Sequence, residues 1–198
     1  MTMNSDDLEL RERLNLIESM IAEGRRSTES WGWVFVLWGV AYYVAIAWSI
    51  WIHSGLAWPV TMIAAFLLTV VLAARKRRKR PATAISRAIS AIWRAMGISM
   101  FVVLLSLGMA GRYEPHVSVA ICGAMLGSTN AASSMILRWK MQFACAVVWW
   151  AAAVAALFGS ANQSMIAFLV AIFFCQILFG LYAMAGESRK RRQGAVHA

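Results

Sequence analysis

Residues 57–111 read AWPVTMIAAFLLTVVLAARKRRKRPATAISRAISAIWRAMGISMFVVLLSLGMAG. Up to Ala74 this stretch has no charge on any face, so it lacks the polar side that a surface helix of a soluble domain shows. The uncharged run stops on six consecutive cations, Arg75, Lys76, Arg77, Arg78, Lys79 and Arg80, and a second uncharged run follows Arg94. Both runs approach the roughly 20 apolar residues needed to cross a hydrocarbon layer about 30 Å thick. The pattern predicts two membrane spans whose shared connector is held on the cytoplasmic side by its charge.

Working outward from this pair, the same reading recurs. Hydrophobic residues make up 61% of the 198 and charged residues 14%, against roughly 45–50% and 25% for soluble domains. Six spans are expected at Trp31 to Ile52, Ala57 to Ala74, Arg94 to Gly111, Val117 to Leu137, Met141 to Phe158 and Met165 to Ala185. The fold class is therefore all-α, a polytopic six-helix membrane bundle over 31–185, preceded by an amphipathic cytoplasmic helix in 1–30 and followed by a basic tail, 186–198. Its size and helix count are similar to those of the substrate-binding subunits of energy-coupling-factor vitamin transporters, in architecture alone.

Eighteen of the nineteen Lys and Arg residues fall in segments on one side of these spans, and only Arg112 falls on the other. Both termini are thus expected in the cytoplasm, with the net charge of +10 on that face. Such a face attracts anionic lipid, and Arg75 to Arg80 is its strongest contact. No nucleic-acid-binding module accompanies the charge. Asp6, Asp7 and Glu9 precede any apolar run, which argues against a cleavable signal or an Arg-rich presequence. The preference for Arg over Lys suits a bacterial inner membrane. Cys122, Cys145 and Cys175 all fall within spans and suit small apolar thiols better than a disulfide framework.

Trp33, Trp93 and Trp139 on the cytoplasmic side, and Trp51, Trp58 and Tyr113 opposite, are placed as interfacial belts. Pro59, Pro81 and Pro115 stand at helix starts. Ile85, Ile89 and Ile92 predict helix before the third span, lying along the interface and then turning in. Arg94 is expected to snorkel to the inner headgroups.

The fourth span is the least lipid-like. Its run Gly127-Ser128-Thr129-Asn130-Ala131-Ala132-Ser133-Ser134 places it centrally, and Gly123, Gly127 and Ala131 form a small-residue packing stripe. Tyr42 and Tyr43 on the first span, Asn130 on the fourth and Gln176 on the sixth lie near mid-membrane. They are candidates for a small-solute site or, as uncharged groups, for interhelical hydrogen bonds, with Asn130 expected to pair with Gln176. Outside, His53, Arg112, Glu114 and His116 hold two imidazoles and a carboxylate without specific metal spacing, so no metal or other cofactor is expected. No motif for catalysis is visible, and the spans carry no Asp or Glu for a proton relay.

In the amino-terminal segment Ser5 can cap a helix whose first turn is acidic, and Leu10, Leu14, Ile17 and Ile21 form a stripe at helical spacing. Seven acids against four arginines in residues 1–30 make it a poor ligand for anionic lipid. It can dock on the chain's own basic loop, on a copy or partner, or on the membrane through its stripe. The function expected is a non-enzymatic structural or accessory subunit that assembles through residues 5–24; a solute-binding or transport subunit is the alternative.

Overall fold

The computed structural model describes residues 5–52, 56–76 and 83–196, which are helical with no strand among them. The helices are α1 (Ser5–Ser30), α2 (Gly32–Ile52), α3 (Ala57–Lys76), α4 (Ala84–Met109), α5 (Pro115–Leu137), α6 (Lys140–Phe158), α7 (Ala161–Ile172) and α8 (Phe179–Val196), with a π segment, Phe173–Leu178, between the last two. Six stretches among these residues are long and apolar enough to cross a membrane, namely Glu9–Ile52, Ala57–Arg75, Ala84–Met109, Pro115–Leu137, Lys140–Phe158 and Ala161–Arg189.

Local chemistry sets several boundaries. The Thr83 hydroxyl accepts from the Ser86 amide at 3.2 Å and starts α4. One unbroken helix then runs from Ala84 to Met109, so no separate interfacial piece precedes the third span. Pro115 opens α5, where its missing N–H costs nothing. Ser160 and Gln163 form a capping box that starts α7 at Ala161, a turn before the expected Met165. The basic segment that begins at 186 continues the helix of the sixth span, α8 running to Val196.

The π segment and α7 and α8 make the last rod. Only Trp31 separates α1 from α2, so the first rod is nearly continuous from the amino end.

Burial decides which helix is central. In their most apolar windows α5 is 61% buried, α3 17% and α4 6%. Lipid tails give no hydrophobic drive for helices to associate, so close approach between small residues has to supply it. A Cβ added to Gly123 would stand 2.8 Å from the Trp149 carbonyl oxygen, and one on Gly127 would stand 2.4 Å from the Trp150 ring, so α5 and α6 meet backbone to backbone. Ala131 continues that side of α5 and is buried. A second crossing joins α2 to the last rod, where Cβ atoms on Gly32 and Gly180 would each lie 2.8 Å from the other's carbonyl oxygen. Among the described residues α3 packs on α2, and α4 packs mainly on α5 and the end of α1.

Two expected belt residues belong to the interior instead. Trp139 is buried against Phe179 and Tyr182. Trp93 meets Phe35 edge to face and donates its indole N–H to the Ser133 hydroxyl at 3.2 Å. Trp93 thus rests on α5 where Ser133 is small, and Trp139 on the aromatic rings of α8. Trp51 and Tyr113, by contrast, are exposed.

Candidate functional site

Two features stand out, one at the end of the bundle where α1 joins it and one inside the bundle. The first is a clamp on α1. Gly24 packs so closely on Ile85 of α4 and Leu137 of α5 that a Cβ would approach them to 2.6 and 3.0 Å. One residue on, the Arg25 guanidinium donates to the carbonyl oxygens of Leu137 at 3.1 Å and Arg138 at 2.8 Å, and lies 6.0 Å over the Trp139 ring. Those carbonyls are the unsatisfied negative end of α5, where a cation is favourable. The chain turns there through Arg138 at φ 48°, a left-handed residue whose N–H returns to Met135 O. Ser27 shares a hydroxyl contact of 3.1 Å with Ser86, and buried Thr28 donates to the Gly24 carbonyl.

The last two turns of α1 are thus built into the bundle, while the turns before them are not. Leu10, Leu14 and Ile17 are 58%, 52% and 52% exposed, whereas Ile21, the fourth member of the stripe, is half-buried, so among the described residues the first three members of the stripe are the open part. Arg75 is exposed; the side chain of Lys76 and all of Arg77, Arg78, Lys79 and Arg80 lie outside the described residues.

The second is a pair of buried amides, one on each of two packed helices. Asn130 is 1% exposed and Gln142, on α6, is wholly buried. Asn130 donates to the Leu126 carbonyl one turn back at 2.8 Å, which leaves its own oxygen without a partner, and both polar atoms of Gln142 lack one. The expected Asn130–Gln176 bond is therefore not formed. Gln176 is buried in the π segment against α2, its Cβ only 3.0 Å from where a side chain on Gly39 would begin. Tyr42 is buried among Trp38, Trp58 and Phe168, and Tyr43 donates to the Leu169 carbonyl at 2.9 Å. No hydrogen bond joins any two of Tyr42, Tyr43, Asn130 and Gln176. The three cysteines are free and buried, Cys175 lying with its thiol 3.5 Å from the Cys145 carbonyl.

Sequence reading passed over Arg25, Gln142 and the Gly32–Gly180 contact. Gln142 carried a usable signal, since it shares the buried face of α6 with Cys145, Ala146 and Trp149 at helical spacing.

At the opposite end, His116 contacts the Ser164 hydroxyl at 3.2 Å, and Arg112 and Glu114 are exposed. His53 lies outside the described residues. No three of the described His, Cys, Asp and Glu residues are grouped to hold a metal ion. Arg94, exposed on α4, turns back to the Ser90 carbonyl at 3.1 Å, one turn toward the start of its helix. Comparison with protein-family models, with curated proteins and with solved structures gives no match.

Proposed function

We propose that this chain is a non-enzymatic, multi-pass component of a bacterial inner membrane, with both termini cytoplasmic, that assembles with itself or a partner protein through its first helix. The observation that carries this reading is the contrast along α1. Gly24, Arg25 and Thr28 fasten it to the ends of α4 and α5, while the stripe of Leu10, Leu14 and Ile17 remains uncovered. A helix already ordered by its own bundle offers an apolar face without a further ordering cost, which favours recognition by another protein. The excess of Lys and Arg on the cytoplasmic segments supports the orientation and an attraction to anionic lipid, to which Arg75–Arg80 contributes most.

The test is the mass of the full chain in nanodiscs or detergent, with and without the stripe changes Leu14→Glu and Ile17→Glu. The expected result is loss of an oligomer or of a co-purifying protein in the double variant. An unchanged mass with an unchanged set of companions would overturn assembly through α1.

A second reading, a small-solute binding or transport subunit, draws on the unpaired oxygen of Asn130 and the unpaired amide of Gln142, since buried polar groups without partners are rare in native folds. Tyr42, Tyr43 and Gln176 would then line the same interior. The substitution Gln142→Leu separates the two readings, because it stabilises a bundle with an idle amide and destabilises one in which the amide holds a solute.

A further inference from the structure

The turn from α5 to α6 brings two helix termini together and closes only one of them. Two residues, Arg138 and Trp139, join Pro115–Leu137 to Lys140–Phe158. The negative end of α5 is met by Arg25, whose Nη2 donates to the carbonyls of Leu137 and Arg138. The positive start of α6 has no such cover. Its N-cap is Trp139, a side chain without an oxygen, and among the described residues the amides of Lys140 and Met141 have no acceptor. Neither helix can supply an anion, since Arg138 and Lys140 are the only charged residues between Glu114 and Glu187.

Further unmet donors belong to the same end. Gln142, the third residue of α6, is wholly buried with neither polar atom partnered, and its Cα–Cβ bond tilts toward the start of the helix. The Nε–H of Arg25 is buried without a partner as well. Arg138 and Lys140 are exposed, and neither forms an ion pair among the described residues. Arg138 stands at a left-handed position, φ 48°, that glycine fills with less strain, so the turn itself does not require this side chain. Cations, an open helix start and a buried amide donor together make an arrangement that binds phosphate.

Depth says which phosphate. α5 and α6 are both apolar enough to cross a membrane, and a connector of two residues holds their junction where hydrocarbon gives way to headgroups. We propose that the α5–α6 turn binds the phosphate of an anionic phospholipid, held by Arg138, Lys140 and the first amides of α6, with the Gln142 amide as a further donor. Without phospholipid that amide has no partner, as in protein stripped by detergent. A choline or ethanolamine headgroup brings its own cation, which Arg138 and Lys140 repel, so the lipid selected carries net negative charge, as phosphatidylglycerol does. This site is distinct from the run Arg75–Arg80 and does not depend on assembly through α1.

The test is native mass spectrometry of the full chain in detergent with single lipids added back. One phosphatidylglycerol is expected to stay bound under activation that strips phosphatidylcholine. Arg138→Gln and Lys140→Gln should each weaken that binding about fivefold, and Arg138→Lys should restore most of it. The variant with Arg75 through Arg80 changed to Gln should keep this one lipid while losing others. Lys140→Gln changes an exposed side chain outside the core, so its result stands even if Arg138→Gln disturbs the turn. Undiminished retention in Lys140→Gln and in the double variant, loss only in the Arg75–Arg80 variant, or equal retention of phosphatidylcholine would each overturn the proposal. Inorganic phosphate that displaces the lipid and itself stays bound would also overturn it, in favour of a soluble phosphate ligand.

Discussion

Arg25 and Gln142 are opposite cases of a polar side chain inside a helical bundle. Arg25 is matched at Nη2, with two carbonyl acceptors at the negative end of α5 and an aromatic face beneath it, while its Nε has no partner. Hydrogen bonds to a charged donor contribute about 1.5–3 kcal/mol, and partial solvent access here argues for the lower part of that range. Arg25→Ala is therefore expected to lower stability by about 1–2 kcal/mol and to speed amide exchange across α1, read by exchange mass spectrometry. Gln142 is unmatched at both polar atoms. Removing an unsatisfied buried amide relieves a desolvation cost of about 1–3 kcal/mol, so Gln142→Leu should raise the unfolding midpoint in detergent. If the amide instead holds a bound solute, the same change lowers the midpoint and supports the transport reading. Arg138 belongs to the same scale, since its φ of 48° suits glycine better. Arg138→Gly should stabilise the α5–α6 turn by about 1 kcal/mol, measured by the same denaturation.

Among the elements, the crossing of α2 with α8 is the one where backbone meets backbone most openly. Gly32 and Gly180 face each other, and Val36 also stands 2.7 Å from where a Cβ on Gly180 would sit. Gly180→Leu must push the rods apart and release Phe179 from Phe35 and Trp139. Overpacking of this kind costs about 1–3 kcal/mol, and a lower yield of folded protein on size exclusion is the expected readout. That contact was hidden in the sequence because Gly32 and Gly180 lie at opposite ends of the chain. The small stripe of α5 was readable, since Gly123, Gly127 and Ala131 repeat every four residues within one element. Helix count and span positions were also legible, because length and lack of charge are local properties. The π segment had no local signature, and the capping box at Ser160 and Gln163 was present in sequence but outweighed by the later start of the hydrophobic run at Met165. The candidate site divides the same way: Asn130 and Gln176 were visible as polar residues in apolar runs, but their partners depend on how each helix is turned.

At the scale of the whole molecule, charge and burial act on different ends of one problem. The interior of the bundle is arranged by small residues and indoles, none of which distinguishes the two sides of a membrane. The basic residues do, because nearly all of them lie in the segments joined to one end of the rods. The clamp of α1 is formed by the start of α4 and the turn from α5 to α6, the ends of those rods that adjoin the basic segments in sequence. Positive charge within short loops sets orientation in proportion to the bias between the sides. A bias of eighteen to one should survive loss of its largest cluster, since α1, the α5–α6 turn and α8 retain basic residues. Changing Arg75 through Arg80 to Gln is thus expected to keep both termini cytoplasmic while weakening binding to anionic vesicles. A fluorescent reporter at the carboxyl end should stay bright in both proteins, and a phosphatase fused at Arg112 should stay active. A dark carboxyl-terminal reporter in the unmodified chain would reverse the proposed orientation and place the uncovered stripe of α1 on the other side of the membrane.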